Sequence, residues 1–129
     1  MRGWAEAHPG LVYKDLRLSD GQVVATGDVV QVHYQIALGE EREGDPAWID
    51  DSWERGQPFR LCIGAGEVLK GVDQAMVGMR VAGTRRMVLS PEWAYGDRAL
   101  AELVPSGSVL TVQVYVIMKE ESADTGGVE

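Results

Sequence analysis

The sequence predicts an α+β fold in which one short helix covers one face of an antiparallel β-sheet. Four segments alternate apolar and polar residues with a period of two, as half-buried strands do. One further segment repeats its apolar residues at the helical period. Strands and helices do not alternate along the chain, which argues against a parallel sheet built from βαβ units. The 129 residues have the length of a single domain.

The strand predictions rest on alternation within short runs. In the first run, the apolar side chains of Val30, Val32, Tyr34 and Ile36 share one face, and polar residues including His33 share the other. A weaker pattern at 11–24 predicts a hairpin that turns at Asp20-Gly21. The four clearer segments are VVQVHYQI (29–36), FRLCI (59–63), RRMVL (85–89) and VLTVQVYVIM (109–118).

The predicted helix lies in GEVLKGVDQAMVGM (66–79), where Val68, Leu69, Val72 and Met76 fall on one face. Gly78 is a suitable residue for its end. A second, shorter helical turn is expected in SPEWAYG (90–96), with Ser90 as N-cap and Pro91 at the first position. Gly64-Ala-Gly66 lacks the further residues of a phosphate-binding loop, so a turn between strand and helix is expected there.

Composition and charge bound the rest of the chain. The 16 glycines suit many tight turns between short strands. A net charge of −8 disfavours binding to nucleic acid, and no apolar run is long enough to span a membrane. Residues 1–10 are expected to form a loose leader, 11–120 a single domain and 121–129 a disordered acidic tail. Without an apolar leader, a cytoplasmic location is expected.

Conventional catalytic groups are scarce. Cys62 is the only cysteine, which excludes an internal disulfide and a multi-cysteine metal site. His8 and His33 show no metal-ligand spacing, and each is expected to be an exposed or weakly bonded histidine rather than a catalytic base. Asp50 and Asp51 are adjacent on an extended chain and should point apart. The residue types therefore predict neither a metal nor a cofactor.

Four segments, in order and at compatible spacing, resemble the FKBP-type peptidyl-prolyl isomerases, the macrolide-binding family. The resemblance covers about Gly10 to Glu120. It implies a twisted antiparallel sheet wrapped around one short helix, and an enzyme that accelerates rotation about X-Pro bonds. Its implied partners are proline-containing polypeptides and macrolides, bound by a monomer. The segments are GDVVQVHY (27–34), RGQPFRLCIGAGEVLKGVDQAMVGM (55–79), GTRRMVLSPEWAYG (83–96) and VPSGSVLTVQV (104–114).

The resemblance also implies a set of site residues in an apolar pocket between helix and sheet. The implied catalytic residues are Tyr34, Asp50, Phe59 and Tyr95. Tyr95 would donate its hydroxyl, and the backbone N–H of Leu69 would face a ligand carbonyl. The implied substrate-binding residues are Ile49, Arg55, Val68, Leu69, Val72, Leu103, Val104 and Val112.

Several residues depart from the family pattern. Val72 stands where the pocket floor is typically tryptophan, and Val112 where many members carry phenylalanine. The chain between Tyr34 and Ile49 is also about five residues longer than in compact members. Trp48 and Trp53 are expected to refill the volume lost at Val72. These departures keep an alternative open, namely a catalytically weak binding module for a partner loop or a small molecule.

Overall fold

A computed structural model describes residues 3–96 and 104–121, and within them the chain forms one antiparallel sheet with two short helices. The sheet has seven strands in the order β1-β2-β6-β7-β3-β4, and β5 also pairs with β3. This architecture confirms the predicted α+β fold. The elements are β1 (Ala5–His8), β2 (Leu11–Arg17), β3 (Val29–Leu38), β4 (Asp50–Asp51), α1 (Ser52–Arg55), β5 (Phe59–Cys62), α2 (Lys70–Ala75), β6 (Thr84–Leu89), a 3₁₀ turn (Pro91–Trp93) and β7 (Leu110–Lys119).

The core lies between α2 and the inner face of the sheet. Strands β3 and β7 pair in a register that sets Val32 against Val116 and Ile36 against Val112. Because paired residues project to the same face, these side chains form a continuous apolar surface. The helix closes over this surface with Val72, Ala75 and Met76, all of which are buried.

Helix α2 sits unusually close to the sheet because residue 71 is a glycine. A Cβ at this position would lie 2.7 Å from Leu89 Cγ, 2.8 Å from Leu89 Cδ2 and 3.0 Å from Trp93 Cβ. Ordinary carbon–carbon contacts are about 3.5–4.0 Å. Gly71 therefore permits an approach that any side chain would block, and this approach fixes the position of the helix beneath the site.

Two predictions for the first quarter of the chain are wrong in detail. Ala5–His8 lies within the expected loose leader but pairs with β2 as a strand. The expected hairpin at Asp20-Gly21 does not form, because β2 pairs with β6 instead. The returning chain buries Val24, whose backbone bonds to Met79 O and Gly78 N. Packing against the end of the helical segment thus outweighs the local turn signal.

On the outer face of the sheet, the structure also corrects the prediction for His33. The sequence predicts an exposed or weakly bonded His33, yet only 9% of its surface is accessible. Its ring stacks on Trp53 at a centroid distance of 3.9 Å, and its Nδ1 lies 2.8 Å from Ser52 Oγ. Helix α1, which the sequence pattern did not predict, carries Ser52 and Trp53 over this face and covers the histidine.

Candidate functional site

An open cleft of about 640 Å³ lies between α2 and the inner face of the sheet. Strands β3, β5 and β7 supply its walls, the segment before α2 supplies one rim, and the chain after the 3₁₀ turn supplies the other. The floor is formed by Val72 and Met76 of α2. The lining residues are Val32, Tyr34, Ile36, Asp50, Phe59, Leu61, Gly66, Glu67, Val68, Leu69, Lys70, Val72, Met76, Glu92, Ala94, Tyr95, Val112 and Val114.

The cleft brings together most of the residues that the sequence singled out. Ile49 instead packs against the core beside the cleft, and Val104 is buried within the core. Arg55 contacts two lining residues without lining the cleft itself. Leu103 lies outside the described residues. The predicted residues that line the cleft are Tyr34, Asp50, Phe59, Val68, Leu69, Val72, Tyr95 and Val112.

A closed triangle of polar contacts forms one wall. Tyr34 Oη donates to Asp50 Oδ2 at 3.1 Å and accepts from Arg55 Nη2 at 2.7 Å. The third side is the ion pair between Arg55 Nη1 and Asp50 Oδ1. The hydrogen bonds to Asp50 and Tyr34 raise the pKa of Arg55 above its ordinary value. The triangle therefore holds both the Asp50 carboxylate and the Tyr34 hydroxyl in fixed positions at the wall.

Helix α1 positions the Arg55 side of this triangle. The Asp51 carboxylate caps the helix by accepting from the backbone N–H groups of Trp53 and Glu54. Asp50 and Asp51 consequently point apart, as the sequence predicted. Ser52 is fully buried, and its hydroxyl accepts from the Tyr34 N–H at 2.7 Å. This contact ties α1 to β3 directly behind the Tyr34 side chain.

The rim before α2 is held by a buried carboxylate. Asp73 Oδ1 accepts from the Gly64 N–H at 2.8 Å, and Asp73 Oδ2 accepts from the Gly66 N–H at 2.9 Å. The 64–66 turn is thus a strand-to-helix connection, as predicted, and its backbone donors are occupied by the protein's own carboxylate. Asp73 thereby sets the path of the segment that delivers Val68 and Leu69 to the cleft.

Two hydrogen-bond donors at the cleft are left unpaired. Among residues 3–96 and 104–121, no acceptor bonds to the Tyr95 hydroxyl or to the backbone N–H of Leu69. Burial raises the pKa of Tyr95 above its usual value of 10.0, with smaller contributions from the charges of Asp50 and Tyr34. The Tyr95 hydroxyl therefore stays protonated, and remains a donor, throughout the physiological pH range.

Sequence reasoning missed two parts of the site. Glu67, Lys70 and Glu92 add charged groups to the lining, although in the sequence they look like ordinary surface residues. Asp73 was also missed as the anchor of the 64–66 turn. A signal for it was available, since a glycine-rich turn leaves backbone donors that a nearby acidic residue of the following helix can accept.

The proposal that two tryptophans refill the cleft is wrong. Trp48 bonds through its Nε1 to Asp45, and its ring lies under the Arg86 guanidinium. Trp53 stacks on His33 and makes a tilted contact with Tyr115 on the opposite face of the sheet. Neither ring belongs to the cleft lining. The floor at Val72 is therefore shallow, and neither Trp48 nor Trp53 replaces the tryptophan expected from the family pattern.

Comparison with known protein families identifies the family of this chain. Residues 21–117 match the sequence model of the FKBP-type peptidyl-prolyl cis-trans isomerases. The chain belongs to this family. It is 41% identical over 91 residues to an FK506-binding protein of Streptomyces anulatus, covering 68% of each chain. It is 33% identical over 91 residues to FK506-binding protein 1A of Neurospora crassa, covering 70% of this chain and 72% of that protein.

Solved structures agree with this assignment. The crystal structure of AtFKBP13 superposes with a TM-score of 0.77 at 30% identity, covering 91% of this FKBP chain and 98% of that one. FkpA from Escherichia coli superposes with a TM-score of 0.76 at 25% identity, covering 93% of this chain and 53% of FkpA. The protein is thus a peptidyl-prolyl isomerase, and the alternative of a catalytically weak binding module is not favoured. Within the part of the chain that the structure describes, no helix is long and apolar enough to cross a membrane.

Proposed function

We propose that this FKBP isomerises X-Pro bonds in the cleft over α2, with Tyr95 and Leu69 as the donors that hold the substrate carbonyls. The observation that carries this proposal is the pairing of two unsatisfied donors with apolar walls in one cleft. Both residues are only partly buried, so a ligand acceptor can replace water as the partner of each donor. A peptide carbonyl is the acceptor that would do so.

The reaction suits an apolar site without a nucleophile. Rotation about the amide bond must break the resonance that gives a barrier of about 18–20 kcal/mol. The twisted transition state has lost that resonance and is less polar than the planar amide. The apolar surfaces of Phe59, Val72 and Val112 therefore favour the twisted form over the well-solvated ground state.

Tyr34 and Asp50 are assigned to the polar wall that faces the reacting amide. Arg55 does not line the cleft and acts as a positioning residue, because it fixes both partners through the triangle. A fixed carboxylate and hydroxyl need no reorganisation when the amide dipole changes during rotation. Val68 completes the binding surface from the rim, whereas Ile49 and Val104 pack in or against the core and support the cleft without lining it. Leu103 keeps the substrate-binding role that the resemblance implies.

The same cleft is proposed to bind macrolides, since relatives of this chain are named for FK506 binding. Only 8% of the Val72 surface is accessible, and its side chain offers a macrolide less contact than an aromatic floor would. Macrolide affinity is therefore expected to be lower than in members with a tryptophan floor, while the small substrate proline still fits.

NMR exchange spectroscopy on a proline tetrapeptide tests the proposal. Wild-type protein is expected to accelerate cis–trans exchange, and Arg55→Gln to reduce the acceleration by releasing Asp50 and Tyr34. Arg60→Gln is the matched control, because Arg60 is also exposed and ion-paired, but its side chain bonds to Glu120 and does not line the cleft. No acceleration by the wild-type protein, or equal losses in the two variants, would contradict the proposed site.

We also propose that the protein acts as a monomer in the cytoplasm. Its proposed substrates are flexible segments of folding proteins. Analytical ultracentrifugation checks the monomeric state, and a single species with the mass of one chain is the expected result. Fractionation of cells that produce the full-length protein checks the location.

A further inference from the structure

The outer face of the sheet, opposite the cleft, carries two neighbouring rows of side chains that cross the strands. The β-ladder registers pair Arg17 with Thr84, Thr84 with Tyr115 and Tyr115 with His33. Register partners project to the same face, so these four residues form one row. The second row consists of Lys14, Arg86, Gln113, Gln35 and Asp51.

In the second row, four of the five residues bond to one another, and Lys14 is outside this chain of bonds. Arg86 Nε donates to Gln113 Oε1 at 2.9 Å, and Gln113 Nε2 donates to Gln35 Oε1 at 3.5 Å. Gln35 Nε2 in turn donates to Asp51 Oδ2 at 3.2 Å. Asp51 also accepts from the backbone at the start of α1. This chain of hydrogen bonds leaves the row with fixed side chains and with its one carboxylate already engaged.

Two residues of the first row, Arg17 and Tyr115, have open donors, and so does Trp53 beside the row. Trp53 covers His33, lies 5.7 Å from the Tyr115 ring at a tilt of 40°, and keeps 50% of its own surface exposed. Within residues 3–96 and 104–121, no hydrogen bond or ion pair engages the Arg17 guanidinium, the Trp53 indole N–H or the Tyr115 hydroxyl. The three residues that carry these groups line one concavity.

We name this concavity the outer-face pocket. Its volume is about 350 Å³, and it is lined by Arg17, Gln35, Trp53, Thr84, Gln113 and Tyr115. None of the described residues that line it carries a carboxylate, although the whole chain has a net charge of −8. A donor-rich site with an open cation on an acidic protein is complementary to an anion.

The geometry favours a carboxylate over a more highly charged group. One guanidinium matches one carboxylate through two parallel hydrogen bonds, whereas a phosphate dianion would keep an uncompensated charge beside this single cation. The flat faces of Trp53 and Tyr115 add an aromatic surface beside the cation. A ligand that fits both features carries a carboxylate on a planar apolar group.

We propose that the outer-face pocket binds small planar carboxylates, with Arg17 holding the carboxylate and Trp53 and Tyr115 contacting the ring. This second site is on the opposite face from the isomerase cleft and does not depend on the roles proposed there. Tyr34 and Ser52 connect the two faces through β3 and α1, but binding in the pocket requires no change in the cleft.

Benzoate and its neutral isostere benzamide test the proposal in ¹⁵N–¹H NMR titrations of the full chain. Benzoate is expected to shift the Trp53 indole N–H and the backbone signals of Arg17, Thr84 and Tyr115. Arg17→Gln is expected to weaken benzoate binding by about tenfold, the usual effect of a lost charge-assisted hydrogen bond. Arg60→Gln removes a charge elsewhere and is expected to leave the affinity unchanged.

The proposal fails on any of three results. Equal affinities for benzoate and benzamide would show that the pocket does not recognise the carboxylate. Shifts confined to Tyr95, Val68 and the rest of the cleft would place the ligand in the isomerase site. Inorganic phosphate that binds as tightly as benzoate would overturn the choice of a planar carboxylate. Trp53→Leu provides an independent check, since it keeps Arg17 and should still weaken benzoate binding by removing the ring surface.

Discussion

Replacing Gly71 with alanine probes the packing that places α2 beneath the cleft. In an open helix this change would stabilise the protein by about 1 kcal/mol, because alanine has the higher helix propensity. Here the new Cβ would meet Leu89 Cγ at 2.7 Å and Trp93 Cβ at 3.0 Å. Leu89 is fully buried and cannot swing into solvent. Overpacking of this kind costs about 1–3 kcal/mol.

The close contacts outweigh the gain in helix propensity, because the two Leu89 atoms would lie about 1 Å closer to the new Cβ than an ordinary carbon–carbon contact allows. The contact with Trp93 Cβ prevents the helix from moving away in that direction. We therefore expect Gly71→Ala to lower the free energy of unfolding by up to about 2 kcal/mol, the overpacking cost less the propensity gain. Chemical denaturation followed by tryptophan fluorescence measures the change. Gln74→Ala, on the exposed side of the same helix, is the control and should be close to neutral.

A double-mutant cycle with Leu89→Ala isolates the cause. Leu89→Ala alone should destabilise the protein by about 2–5 kcal/mol through the cavity that it leaves. Combined with Gly71→Ala, the new methyl group enters that cavity, so the double variant should be more stable than the sum of the single changes predicts. A stabilised Gly71→Ala protein, or strictly additive effects, would refute the packing argument.

Three further predictions concern the cleft. Val72→Trp should strengthen macrolide binding by about 1–2 kcal/mol in calorimetry, since the open cleft has room for a larger aromatic floor; weaker binding with unchanged folding would contradict this. Asp73→Asn should lower isomerase activity, because a neutral amide cannot accept as strongly from Gly64 and Gly66; increased amide hydrogen exchange at both glycines is the accompanying sign, and unchanged exchange would exclude it. Tyr95 should titrate above 10.0 in an ultraviolet pH titration. Because the pKa of Tyr95 is higher in the folded state, its contribution to stability is fully present at pH values below the unfolded-state pKa and is lost as the pH rises through the folded-state pKa. An unshifted titration of Tyr95 would contradict its burial.

The strands and the helix were predictable from sequence because their side-chain periods are set by which face is buried. Alternation at 29–36 and 109–118 reflects the inner face of β3 and β7 directly. The cleft residues were predictable only by resemblance, since Tyr34, Phe59 and Tyr95 have no local pattern that marks them as neighbours.

What sequence reasoning could not reach depends on contacts between distant segments. His33 occupies a polar position of its strand and is buried only because α1 delivers Trp53 onto it. The sequence at Asp20-Gly21 favours a local hairpin, but β2 pairs with the distant strand β6 instead. The positions of Trp48 and Trp53 depend on which face of the sheet the chain crosses after β3, and neighbouring sequence does not encode that choice.

The central claim is that the X-Pro bond rotates in the cleft over α2. Nuclear Overhauser contacts between the proline ring of a tetrapeptide and protein methyl groups, recorded while the protein accelerates exchange, test it most directly. We predict contacts to the methyl groups of Val72, Val112 and Leu69, all of which line the cleft. Accelerated exchange with proline contacts at other methyl groups and none in the cleft would contradict the account.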